Sequence, residues 1–249
     1  MLTINYEEFG PVHTHIVKSL LTTTVTTLED MSKCKVSENI TVQHWDQDYP
    51  CTVNTPDGPV VYLAVKEDYW CQWLYQFAHE YTHLLIGRDL TGRLKGLVWF
   101  EECLCHTASL FCLSVFSYPT IWSQLGYPHY ALSVQQYIED RFASLRQMRE
   151  EFYHANSYPY HLGLRIWLPL LSVEVDSPTP PYPRHYYDAV AAIMLPFFLH
   201  NHHLWEIIGH IGFSEKWQSL EELLTHLASK ATPEYSQELQ DMRTFLIGE

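Results

Sequence analysis

The feature that most constrains this chain is a pair of histidines four residues apart, His79 and His83, with Glu80 between them and a second acid, Glu102, after eighteen intervening residues. On a helix, side chains four apart stand on one face, so both imidazoles can reach a single point in space. Glu80 then lies beside that face and stays free of it. A catalytic zinc takes three protein ligands and keeps one tetrahedral position open, so a third ligand has to come from another segment, and Glu102 can supply it. The fold therefore has to bring the segment around residue 102 against the helix around residue 80.

The flanking residues support the helix. Trp70, Trp73, Leu74, Phe77, Ala78, Tyr81, Leu84 and Leu85 recur with helical spacing. Asp68 is expected as the N-cap and Gly87 as the left-handed stop. Trp70, Trp73 and Phe77 read as core anchors of this helix. From Trp99 to Phe116 the chain is mostly apolar, without proline or glycine, which puts Glu102 in the first turn of a buried helix. A lone carboxylate is costly to bury, and a cation that neutralises it accounts for its presence. The outer acid, Glu101, is expected as a solvated charge at the helix start, where it favours the macrodipole. A chain with 15 histidines can also carry this spacing by chance, and a metal-free helical scaffold is the alternative.

The stretches Phe77 to Leu85 and Trp99 to Cys105 together resemble the gluzincin metallopeptidases, the thermolysin-like and aminopeptidase N-like catalytic domains. Their pattern is HExxH, some eighteen or more residues, and a tryptophan-rich approach to a ligand glutamate. The likeness is specific over Ala78 to Ala108. In that family the ligand directly precedes a small residue, here Cys103, which favours Glu102 over Glu101. The resemblance implies one Zn²⁺ held by His79, His83 and Glu102, with Glu80 as general base toward the attacking water. A later run, Tyr187 to Ala191, is similar to a family segment whose tyrosine steadies the oxyanion, so Tyr187 is the expected donor, with Tyr160 and His161 as rivals. The chain departs from the pattern twice. His106 stands where family members often carry an acid that orients the first histidine, and the Gly-x-Met-Glu-Asn motif that anchors a free amino terminus is missing.

Composition restricts the partners. A net charge of −14 argues against nucleic acid and against anionic membrane surfaces, and leaves peptide or protein substrates open. No secretory signal is seen at the N-terminus and no apolar run reaches transmembrane length, so a soluble, cytoplasmic protein is expected. The six cysteines are then expected as free thiols rather than a disulfide framework.

The expected fold class is α+β, in one gluzincin-like domain over 1–249. A small antiparallel or mixed sheet and the HExxH helix occupy 1–98; the ligand helix and a mainly helical part occupy 99–249, with the active-site cleft between them. Pro11 to Met31 reads as a helix, Ile40 to Trp45 and Pro59 to Val65 as strands, and Asp46 to Gly58 as turns. By resemblance the second strand lies at the sheet edge, where a peptide can add as a further strand. Further helices are expected near Tyr130 to His154, Arg184 to Leu199, Glu215 to Lys230 and Pro233 to Leu246, with turns near Pro119, Gly126 and Pro159. Ser177 to Pro183 reads as a stiff loop delivering Tyr187. Cys103 and Cys105 point apart on a helix, which argues against a thiolate cluster, although Cys105 or His106 can sit behind the metal. The histidines at 200, 202, 203 and 210 read as a polar turn.

The expected function is a zinc-dependent hydrolase, most naturally a peptidase. The alternative is a zinc-stabilised binding or regulatory protein that keeps the site with little or no catalysis.

Overall fold

Strand alternation at the N-terminus builds a four-stranded sheet. Ile40–His44 (β2) buries Ile40, Val42 and His44, and Gly58–Leu63 (β4) buries Pro59, Val61 and Leu63, the period of two that a half-buried strand requires. Leu2–Ile4 (β1) pairs parallel with β2, β2 pairs parallel with β4, and Cys51–Thr55 (β3) pairs antiparallel with β4. The sheet is thus mixed, in the order β1-β2-β4-β3. Parallel neighbours need a crossover, and the helix Thr14–Ser32 (α1) supplies it between β1 and β2. The computed structural model describes residues 1–87, 97–156, 184–211 and 219–247.

Two expectations about this sheet are corrected. The stretch from Asp46 to Gly58 is not all turn, because the β-branched run Thr52, Val53 and Thr55 carries strand β3. The edge strand beside β4 is therefore β3, and β4 lies inside the sheet. A tight hairpin joins them, with Thr55 opposite Gly58. Gly58 has φ +116°, and a Cβ there would stand 2.4 Å from the Asn39 carbonyl oxygen, so only glycine fits.

Helix α1 begins three residues later than expected. Its threonines are accommodated by bonding back along the helix, as Thr24 Oγ1 donates to the Leu20 carbonyl at 2.9 Å and Thr26 Oγ1 to that of Thr22 at 3.1 Å. The next helix, Trp70–Ile86 (α2), buries fifteen of its seventeen residues. A helix buried on all sides belongs to the core of the molecule, and α2 packs against β3, β4, α1 and Val98–Phe116 (α3). Trp73 and Phe77 are fully buried anchors. The buried amide of Gln76 accepts from the backbone N–H groups of Ala64 and Val65, at 2.9 and 3.2 Å, and so locks the end of β4 onto α2.

The start of α2 differs from expectation and its end agrees. Asp68 does not cap α2; Tyr69 occupies that position without a side-chain bond. The Asp68 carboxylate instead accepts from the His13 backbone N–H at 2.9 Å and the Trp70 indole at 3.1 Å, tying the start of α1 to that of α2. Gly87 ends α2 at φ 78°, ψ 45°, and its N–H reaches the carbonyls of His83 and Leu84.

Helix α3 lies along α2, held in part by Ser109 Oγ, which donates to the Tyr75 carbonyl at 2.8 Å. The further α-helices of the described residues are Pro119–Gln124 (α4), Tyr130–Asn156 (α5), Arg184–His200 (α6), Ile208–Ile211 (α7), Leu220–Lys230 (α8) and Ser236–Ile247 (α9). The turn expected at Pro119 is the first turn of α4, where proline loses no hydrogen bond. The histidine-rich stretch is not the polar turn expected: His200 ends α6, His210 lies on α7, and His202–Ile207 forms a short 3-10 helix that buries Leu204, Trp205 and Ile207, capped by the Asn201 side chain accepting from the His203 N–H. Helix α6 packs on α3 and α5. The architecture is α+β, a small mixed N-terminal sheet followed by a mostly helical remainder. No helix among the described residues is long and apolar enough to cross a membrane. Pro159, Tyr160, His161, the Ser177 to Pro183 segment and residues 215–218 of an expected helix lie outside the described residues.

Candidate metal centre

Successive turns of α2 bring His79 and His83 onto the face that meets α3, and Glu102, the fifth residue of α3, projects between them. His79 Nε2 lies 3.2 Å from Glu102 Oε2, His83 Nε2 lies 3.5 Å from Glu102 Oε1, and the two Nε2 atoms are 3.3 Å apart. Zinc bonds imidazole nitrogen and carboxylate oxygen near 2.0–2.1 Å, so two ligands of a tetrahedral ion stand about 3.3–3.4 Å apart. Each of these separations is close to an edge length of a zinc tetrahedron, the two histidines meeting different oxygens of the Glu102 carboxylate. The three side chains are also the donor set of a hydrolytic zinc, two imidazoles and a carboxylate. The Glu102 side chain retains 21% exposure against 2% for His83, which makes it the solvent-facing member.

The group around these atoms extends in three directions. On the sheet side, Glu80 is buried, its Oε2 accepts from Thr52 Oγ1 of β3 at 2.8 Å, and its Oε1 lies 4.0 Å from His79 Nε2. The edge strand thereby fixes the carboxylate beside the ligand face. On the second side, Glu101 Oε1 lies 2.5 Å from His83 Nδ1. Glu101 is therefore buried and paired rather than a solvated helix-start charge, because the N-terminal turn of α3 points into α2 instead of into water. Its carboxylate holds the proton on Nδ1 and leaves the Nε2 lone pair for a metal, as second partners of metal-binding histidines do.

On the third side, sequence reasoning allowed for His106 and missed its partners. Asp188 of α6 lies 2.8 Å from His106 Nδ1, accepts from the Tyr75 hydroxyl at 2.7 Å, and pairs with Arg141 of α5 at 3.4 Å. The His106 ring stands 4.5 Å from that of His79, and ligand atoms of His79, Glu102 and His106 all fall within 4.8 Å of one another. Two triads therefore overlap on His79 and Glu102, one completed by His83 and the other by His106. Asp188 is separated from His106 by most of the helical half of the chain, and no local spacing signals the pairing. Tyr187, next to it, is buried with its ring 6.3 Å from that of His106.

Electrostatics follow from this arrangement. Burial pushes the His79 imidazole down to about 3, helped by neighbouring His106, so His79 is neutral and ligand-competent through the physiological range. Burial opposes charge on His83 too, yet the Glu102 and Glu101 carboxylates lift it well above the ordinary imidazole range. Burial likewise opposes charge on Glu102, but His83 and His79 hold it well below the usual carboxylate range. The metal-free cluster thus holds charge that a divalent cation would replace. Cys105, pushed up to about 12 by burial, is a neutral thiol against His83 rather than a thiolate ligand. One atom is left over: His79 Nδ1 is buried and has no hydrogen-bond partner among the described residues.

No family model, curated protein or solved structure matches this chain.

Proposed function

We propose that the protein is a zinc-dependent hydrolase similar to the gluzincin peptidases, with His79, His83 and Glu102 holding one Zn²⁺ and peptide bonds as the target. The observation that carries this reading is the mutual spacing of His79 Nε2, His83 Nε2 and Glu102 at 3.2–3.5 Å, with a non-ligand carboxylate, Glu80, 4.0 Å from the first of them. Zinc bound there supplies a Lewis acid and draws the pKa of water toward about 7. Glu80, steadied by Thr52, takes the proton of the attacking water on its carboxylate and delivers it to the leaving amine. Tyr187, buried beside His106, is the proposed donor to the developing oxyanion. Strand β3 ends the sheet and carries Thr52, so a peptide added along it would pair with the strand that holds Glu80. All six cysteines are free, which supports a reducing compartment such as the cytoplasm.

The test is turnover of a diverse peptide library by the zinc-loaded chain and by Glu80→Gln. Cleavage by the wild type that is lost in Glu80→Gln with zinc still bound supports the reading; equal cleavage by both refutes the role of Glu80. A second reading, a zinc-stabilised binding or regulatory protein with little catalysis, is favoured by His106, which offers a ligand atom within 4.8 Å of those of His79 and Glu102. Intact zinc with no turnover on any peptide selects it.

A further inference from the structure

His106 shares His79 and Glu102 with the triad that His83 completes. His83 presents Nε2 because its Nδ1 is held by Glu101 at 2.5 Å. His106 is treated in the same way by different residues. Its Nδ1 lies 2.8 Å from Asp188 Oδ1 and 2.7 Å from the Tyr75 hydroxyl oxygen, while the Tyr75 hydroxyl donates to that same carboxylate oxygen at 2.7 Å. Asp188 is an acceptor toward both, and Arg141 stacks on the Tyr75 ring at 4.2 Å while pairing with the other carboxylate oxygen at 3.4 Å. The proton of a neutral His106 is therefore fixed on Nδ1, and its lone pair is on Nε2. Such an arrangement of carboxylate, imidazole N–H and free second nitrogen is how proteins prepare a histidine for a metal. The ring is itself buried, stands 4.5 Å from that of His79, and has a ligand atom within 4.8 Å of those of His79 and Glu102.

We propose that His106 is a fourth protein ligand, so that the resting site is His79, His83, Glu102 and His106 around one zinc. This rests on the zinc reading above and changes what it means. A tetrahedral shell filled by protein is closed, whereas a catalytic one keeps a position for water. Water or substrate enters such a site only when His106 gives way or the ion expands to five ligands. Asp188, Tyr75 and Arg141 then act through His106 as positioning residues, and the opening of the site depends on how firmly α6 holds that ring.

X-ray absorption at the zinc edge, on the full chain loaded with one equivalent of zinc, counts imidazole ligands directly and does not depend on activity. Three imidazoles in the wild type and two in His106→Gln are expected. Replacing zinc with Co²⁺ gives a second readout, with the intense visible bands of a four-coordinate ion in the wild type that weaken in His106→Gln as water enters. Two imidazoles in the loaded wild type overturn the assignment of His106 while leaving the zinc reading intact, and that arm needs no variant to fold. Three imidazoles persisting in His106→Gln overturn it as well. A chain that takes up no zinc overturns both.

Discussion

His79 and His83 stand one turn apart on the same helix and point the same nitrogen at the same place, yet their outer nitrogens have opposite surroundings. Nδ1 of His83 is clamped by the buried carboxylate of Glu101, and Nδ1 of His79 is buried with no partner among the described residues. His106 packs against the His79 ring, with centroids 4.5 Å apart, and carries its own carboxylate, Asp188, behind it. The difference teaches that the two flanks of this site are built from different materials. The His83 flank is local: Glu101 and Glu102 are adjacent, and one helix turn orients one imidazole while supplying a ligand. The His79 flank is assembled from three distant helices, α3, α5 and α6, through His106, Arg141 and Asp188.

Between the two flanks sits Glu80, and its substitution is expected to have the largest effect. Glu80→Gln should lower peptide hydrolysis by about 10²–10⁴-fold, the usual contribution of a general base, with zinc content unchanged, measured by parallel kinetics and metal analysis. Substitution of the His83 clamp comes next. Glu101→Gln removes the charge behind His83, and zinc affinity, followed by competition with a chromophoric chelator, should fall by about 10–100-fold. An unchanged affinity would erase the distinction between the two histidines.

The His79 flank is sharpened by acid. The Asp188 carboxyl sits at about 2 against an ordinary 3.8, because His106 and Arg141 outweigh its burial. A carboxylate depressed in the folded state stabilises fully above its unfolded pKa and loses that contribution as pH falls through the folded one, and the shift corresponds to about 2 kcal/mol. Denaturant unfolding of the metal-free protein between pH 5 and pH 2 should show this loss in the wild type and a flatter profile in Asp188→Asn. The smallest effect is expected at the sheet edge. Thr52→Val removes one hydrogen bond to Glu80, and turnover should fall by about tenfold or less, since a bond to a charged group contributes about 1.5–3 kcal/mol and water can replace part of it.

Much of this was legible in the sequence for a definite reason. The spacing of His79, Glu80 and His83 fixed their placement because a helix maps four residues to one turn, and the apolar pattern of α3 carried Glu102 to them. Residue pairs joined across elements were not legible. Glu101 was expected in solvent because a helix-start acid usually is, and only the packing of α3 against α2 turns it inward. Asp188, Tyr75 and Arg141 leave no local signature, since they meet through tertiary packing of α2, α5 and α6. Strand β3 was hidden by its turn-rich flanks, Pro50 and Pro56 to Gly58, which masked a short β-branched run.

The central claim is that His79, His83 and Glu102 form a metal centre, and metal content tests it most directly. Plasma mass spectrometry would be run on the purified wild type, His79→Ala and Glu102→Ala after exhaustive dialysis against metal-free buffer and reconstitution with zinc. The account predicts one zinc per chain in the wild type and loss or marked weakening in both variants. A wild type that stays metal-free after reconstitution, or variants that keep a full equivalent, would contradict it.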